Sequence, residues 1–128
     1  MSNEIEQRVR TAVATALAKQ AADLLVLHVE KLTSIADYFI LCSASSDRQA
    51  AAIVDAVEES LREKHASKPL IAEGKSSGRW VLLDYGDFIL HVFNDETRKF
   101  YSLERLWGDA PNVTAEFSEE SRVGETKG

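Results

Sequence analysis

Three histidines, one cysteine and a handful of carboxylates are the side chains of this sequence that could do chemistry, and their spacing supports little of it. His28, His65 and His91 share no ligand-like interval with Cys42 or with one another, so a zinc site is not expected and no metal is assigned. His28 and His91 lie inside extended, apolar patterns and read as hydrogen-bonded sheet residues. Cys42 sits in an apolar run with no cation nearby to stabilise a thiolate, which makes it a small core side chain rather than a nucleophile. Gly74-Lys75-Ser76-Ser77-Gly78 is the one glycine-rich stretch. It joins two extended segments and opens no helix, so it lacks the geometry that cradles a phosphate. Acids two apart on one strand face would serve metal-dependent nucleotide transfer, but the only pair at that spacing, Glu4 and Glu6, falls in a helical pattern. Asp84 and Asp87 flank a tight reversal, where they read either as turn formers or as binding side chains. Charges on a turn can be reversed without opening a core cavity, so both are expected to be replaceable with the fold intact. Trp80, Tyr85, Tyr101 and Trp107 each have an acid within four residues. Aromatics with a charged rim anchor protein partners, although Trp80 and Trp107 fit a core equally well.

These residues must be positioned by elements that the periodicity outlines. Ile5, Val9, Ala12, Val13, Ala16 and Leu17 recur at helical steps and form one apolar stripe. Leu24 to Val29 and Tyr38 to Cys42 run without alternation, the pattern of strands covered on both faces. Ser46-Asp47-Arg48-Gln49 matches a capping box. It should start a helix whose buried side is Ala50, Ile53, Val54, Val57 and Leu61, fraying near His65 ahead of Pro69. Strands follow at Leu70 to Glu73, Trp80 to Asp84 and Phe88 to Phe93. Gly86 is placed for the positive φ of the reversal between the last two. A short helix is expected over Glu96 to Trp107.

The chain has 128 residues and a formal net charge of −6, the size of one domain able to bury a core without disulfides. The acidic balance weighs against a protein that holds nucleic acid through its phosphates, and no direct DNA binding is expected. No apolar run approaches the ~20 residues of a membrane span, and the first residues lack a secretory pattern, so a cytoplasmic protein is expected. Asn112-Val113-Thr114 matches a glycosylation sequon with no secretory route to use it. From Asp109 to Gly128 there are five acids against two bases, with few large apolar residues. The expected division is a domain over 1–108 and an acidic tail over 109–128 without fixed structure.

Ala36-Asp37-Tyr38-Phe39-Ile40, Ser45-Ser46-Asp47-Arg48-Gln49, the block Trp80 to Phe93 and the block Arg98 to Trp107 together resemble the Iojap, or ribosomal silencing factor (RsfS), family, over about residues 5 to 110. The resemblance implies an α/β domain, helices on a mixed sheet, similar in architecture to nucleotidyltransferases. It further implies a non-enzymatic translation repressor without cofactor. Such a protein binds the large ribosomal subunit through large-subunit ribosomal protein fourteen, blocks joining of the small subunit when nutrients fall, and pairs as a homodimer when free. The Gly-Ser turn of the catalytic relatives is replaced here by Ala44-Ser45-Ser46, and no carboxylate pair follows it. A nucleotidyl-transferring enzyme is thereby the weaker alternative, beside a dimeric adaptor for some other basic protein. On the family reading the partner-binding residues are Lys75, Trp80, Asp84, Tyr85 and Asp87, with Tyr101. The two acids would meet basic side chains, and Trp80 and Tyr85 would supply apolar anchors.

Overall fold

A computed structural model describes residues 4–95 and 108–118. The order of elements is α1 (Glu4–Ala18), β1 (Ala22–His28), β2 (Tyr38–Ala44), α2 (Asp47–His65), β3 (Ile71–Glu73), β4 (Trp80–Asp84) and β5 (Phe88–Asn94). The strands form one mixed sheet in the order β1-β2-β5-β4-β3. β2 and β5 pair in parallel from Tyr38 with Phe88 to Ala44 with Asn94, and every other neighbouring pair is antiparallel. The α/β mixed-sheet fold expected from the sequence is the one observed.

The period of two along the strands sorts side chains onto two faces. Val26, Ile40, Cys42, Val81, Leu83, Phe88, Leu90 and Val92 meet the stripes of α1 and α2, and this is the larger core. Leu27, Phe39, Leu41, Ile89 and Phe93 point the other way and form a second cluster with Val29, Ala36 and Ala110. β2 and β5 are each buried at six of seven positions, which is why their sequences are continuously apolar. In α2 all five residues of the expected stripe are buried. Leu17, assigned to the stripe of α1, is instead exposed at its last turn.

The capping box is present in a shifted form. Ser46 is the N-cap and its hydroxyl accepts from the Gln49 amide at 3.0 Å. The Gln49 side chain does not return to Ser46: its Oε1 accepts from the Ser45 amide at 2.6 Å, and its Nε2 donates to the Lys19 and Gln20 carbonyls. One side chain thus ties the end of α1 to the start of α2. At its other end α2 does not fray. Ala66 takes a left-handed conformation, and the amides of Ala66 and Ser67 close on the Arg62 and Leu61 carbonyls. Gly74, in the expected turn, has φ +83°, and a Cβ there would lie 2.0 Å from the Trp80 carbonyl oxygen. No other residue fits that approach.

Two expectations differ from the structure. β1 is covered on both faces at Val26 and Leu27, as its apolar run suggests, but its first residues are exposed, it lies at the sheet edge, and its pairing is interrupted by a bulge between Ala22 and Leu25. The chain was expected to lose fixed structure from Asp109, yet residues 108–118 pack on the domain. The amide of His28 donates to the Pro111 carbonyl and that of Val113 to the Val26 carbonyl, both at 2.9 Å, with Asn112 bridged to Leu27. Phe117 is 3 % exposed, edge-on to Tyr38 at 5.5 Å. The sequon is a local brace in the same segment. Asn112 Oδ1 accepts from the Thr114 amide and hydroxyl, and the Thr114 oxygen accepts from the Val26 amide at 2.8 Å. The apolar run of β1 and the anchors Ala110, Val113 and Phe117 explain one another, because this segment covers the edge that the run would leave open. Residues 119–128 and the helix expected over 96–107 lie outside the described residues.

Phe117→Ala therefore leaves a cavity in the larger core and should cost ~3–5 kcal/mol, the range for truncating a buried phenylalanine. Chemical denaturation measures it. A loss below ~1 kcal/mol, the usual scale of a surface substitution, would mean that this segment does not contribute to the core.

Candidate functional site

The reversal between β4 and β5 is built on Gly86, whose φ of +88° suits the first central position of a two-residue hairpin loop. The Tyr85 amide donates to the Phe88 carbonyl at 2.9 Å, and Asp84 Oδ1 accepts the Gly86 amide at 2.8 Å. The Asp87 carbonyl accepts from the amides of Asp37 and Tyr38, at 2.8 and 3.3 Å, so the loop is joined to the start of β2. Its carboxylate pairs with the guanidinium of Arg8. That guanidinium lies over the Phe88 ring at 5.4 Å and is almost wholly buried, whereas the Asp87 side chain is 47 % exposed. Both acids are thus turn formers, each with part of its surface left to solvent.

The other expected contact residues scatter. Tyr85 is not displayed at the tip. It is 5 % exposed and stacks on Phe88 at 4.9 Å, where burial, reinforced by Glu58, pushes its phenol well up. Its hydroxyl has no partner among the described residues. Tyr85 is therefore a core side chain, because the odd positions of β4 face the helices and it continues that alternation. Trp80 stands at the far end of β4, half-buried on the opposite sheet face. There it packs on Phe93 at 5.0 Å and donates from Nε1 to His91 Nδ1 at 3.2 Å. Lys75 reaches Glu58 on α2 at 2.5 Å and pins the glycine-rich turn to that helix. Tyr101 lies outside the described residues. Among the described expected residues, Asp84 and Asp87 alone form a shared surface feature.

Two neighbours of the reversal, and a third residue on the loop that leads to Asp37, were not among the expected contact residues. Arg8 fell on a helix stripe read for its apolar members alone. Asp37 carries a carboxyl pushed up by desolvation and by the negative charges of Glu30 and Asp87. Ile35, on the loop that Asp37 closes, is 58 % exposed. The signal for the last two was Ile35-Ala36-Asp37, an aliphatic and an acid immediately before a buried strand.

His28 and His91 are hydrogen-bonded, as their strand contexts suggest, and so is His65. His28 stacks on Tyr38 at 4.6 Å and bonds Glu30 at 3.0 Å, and His65 bonds the Thr11 hydroxyl at 2.8 Å. His91 is buried and pushed down to about 4. Among the described residues no group of three or more His, Cys, Asp or Glu could hold a metal ion. An exposed loop with an acidic fringe suits contact with another macromolecule. A family model described as ribosomal silencing factor during starvation matches residues 2–127. The chain belongs to this family. Among curated relatives, the ribosomal silencing factor of Bacillus subtilis is 39% identical over 108 residues, covering 84% of this chain and 91% of the relative. A mouse protein named for mitochondrial assembly of the ribosomal large subunit is 33% identical over 91 residues, covering 70% of this chain and 40% of its own length. A crystal structure of a Chromobacterium violaceum protein superposes with a TM-score of 0.79 at 33% identity, over 83% of this chain and 88% of that one. The family match runs past Asp109, in keeping with the packed segment at 108–118.

Two measurements test the site's internal chemistry. His91 is neutral when folded and titrates near 4, while the unfolded residue titrates near ~6.5. Protons therefore favour the unfolded chain between those values, so the His91 contribution is complete above pH ~6.5 and is lost as the pH falls toward 4. His91→Gln, whose amide oxygen can still accept from Trp80, should show a smaller fall in melting temperature over that window. An unchanged fall would place the acid sensitivity elsewhere. Asp87→Ala leaves the buried Arg8 charge uncompensated. Removing a partner from a fully buried pair costs ~3–5 kcal/mol, and with Asp87 half in water we expect ~1–2 kcal/mol by denaturation. The expectation that Asp87 can be reversed with the fold intact is corrected on the same ground, since a lysine there would face Arg8. A stability equal to the parent's would show that the pair is idle.

Proposed function

We propose that this chain is a cytoplasmic translation repressor that binds the large ribosomal subunit through large-subunit ribosomal protein fourteen and so blocks joining of the small subunit. The carrying observation is the match to the ribosomal silencing family along nearly the whole chain. The large subunit as target is supported by the name of the mouse relative. Repression of this kind needs no bond made or broken. Occupancy of the large subunit alone sets the effect, and the free chain pairs as a homodimer. On this reading the contact surface includes the reversal, with the exposed parts of Asp84 and Asp87 turned to basic side chains and Ile35 as an aliphatic neighbour. Rim charges of this sort act chiefly on association rate and salt dependence.

Co-sedimentation with isolated large subunits tests the reading. The parent chain should travel with them and not with small subunits, and should inhibit subunit joining. Asp84→Asn with Asp87→Asn keeps the oxygens that accept from Gly86 and Arg8 but removes both charges, including the one that neutralises Arg8, so binding is compared at equal folded fraction. The folded double variant should bind about tenfold more weakly, on the order of 1.4 kcal/mol. Binding equal to the parent's would move the contact surface away from the reversal. A parent that fails to sediment with large subunits would overturn the function itself.

A further inference from the structure

The two edges of the sheet are finished differently. β1 is closed by its bulge, by the Asn112 bridge with its flanking hydrogen bonds, and by the Thr114 oxygen on the Val26 amide. β3, the other edge, is exposed at all three of its residues. Leu70, just before it, is 73 % exposed and Ile71 is 50 % exposed. A bare strand edge with aliphatic side chains is a template for another strand. We infer that β3 is the edge on which a second copy of this chain pairs, antiparallel and about a two-fold axis at Ile71. This rests on the homodimer proposed above and names its interface.

The sequence around the edge selects that occupant and that register. With the axis at Ile71, the two Ile71 residues face each other, and each Leu70 faces Ala72 of the second copy. Each Glu73 faces Pro69 of the second copy and each Lys68 faces Gly74, so no like charges are opposed. Parallel pairing in register would set Lys68 against Lys68 and Glu73 against Glu73, which is unfavourable. Lys75, the remaining nearby charge, is drawn off to Glu58 at 2.5 Å. Pro69 lacks an amide to extend the ladder, so pairing is confined to about Leu70 to Glu73. So short an interface lies below the ~1,200 Å² of stable complexes, and a dissociation constant of about micromolar or weaker is expected.

Sedimentation of the full chain over a concentration series, together with cysteine cross-linking, tests this. The parent should pass from monomer to dimer with concentration, and Ile71→Lys, at an exposed position, should stay monomeric with an unchanged melting temperature. Under mild oxidation Ile71→Cys should form a disulfide-linked dimer, since opposed residues bring their Cα atoms within ~5.5 Å. Leu70→Cys should cross-link far less, because the two copies of that residue are offset diagonally by more than ~7 Å. Cys42 is buried and does not compete. A dimer that survives Ile71→Lys would overturn this interface while leaving the homodimer standing. A parent that remains monomeric throughout would overturn both. A monomeric parent whose Ile71→Lys variant loses large-subunit binding would assign the edge to the ribosome and overturn the second copy as its occupant.

Discussion

Parallel pairing of β2 with β5 constrains nearly everything else in this domain. Two parallel neighbours need a crossover, and α2 supplies it together with β3 and β4. Strands in the middle of a sheet must also be covered on both faces. One face takes α1 and α2, and the other collects Phe39, Leu41, Ile89 and Phe93 with Val29, Ala36 and Ala110. The Asp87 carbonyl carries the pairing past the first residue of β2 by accepting from Asp37 and Tyr38. The loop that begins β5 is therefore held by the same ladder that organises the core.

That attachment decides what the reversal can offer a partner. A free acidic turn could present its whole charge to a basic surface. Here Asp84 spends one oxygen on the Gly86 amide, and Asp87 neutralises a guanidinium that is otherwise enclosed by Phe88 and Ser67. Such a loop is rigid, and rigidity lowers the entropy lost on binding. Its net field is also weaker than two bare carboxylates would produce. On the proposed reading, affinity for a basic protein surface must then draw on shape as much as on charge.

Element types were legible because helix and strand periods in this sequence are strong. The stripe of α2, the cap at Ser46 and the glycine at the reversal each follow from a local rule. What could not be read depends on contacts between distant parts of the chain. An unalternated apolar run such as Leu24 to Val29 is the same whether strands lie on both sides or a later segment closes one edge. The covering segment was hidden in turn by its acidic surroundings, since composition averages over the few positions, Val113 and Phe117 among them, that pack. Tyr85 shows a third limit. An aromatic next to a turn glycine looks exposed until strand parity is continued through it, and the alternation of Val81 and Leu83 then places it inward. Arg8 was invisible because its partner is 79 residues away.

The family assignment and the geometry meet in what such a domain needs in order to act. The steric repression proposed above requires a stable body and a surface of the right shape, and the described residues supply the first through two clusters on either side of one sheet. If the chain acts by the steric block proposed above, affinity governs the effect, because occupancy then links the protein to its outcome. Substitutions therefore divide by where they act. One that loosens Arg8 from Asp87 changes the fraction of folded chain, whereas one that removes only the outward charge changes the affinity of a chain that stays folded. The two acids of the reversal belong to both classes. A loss of binding on altering them is evidence of contact only after the folded fraction has been measured at the same temperature and salt.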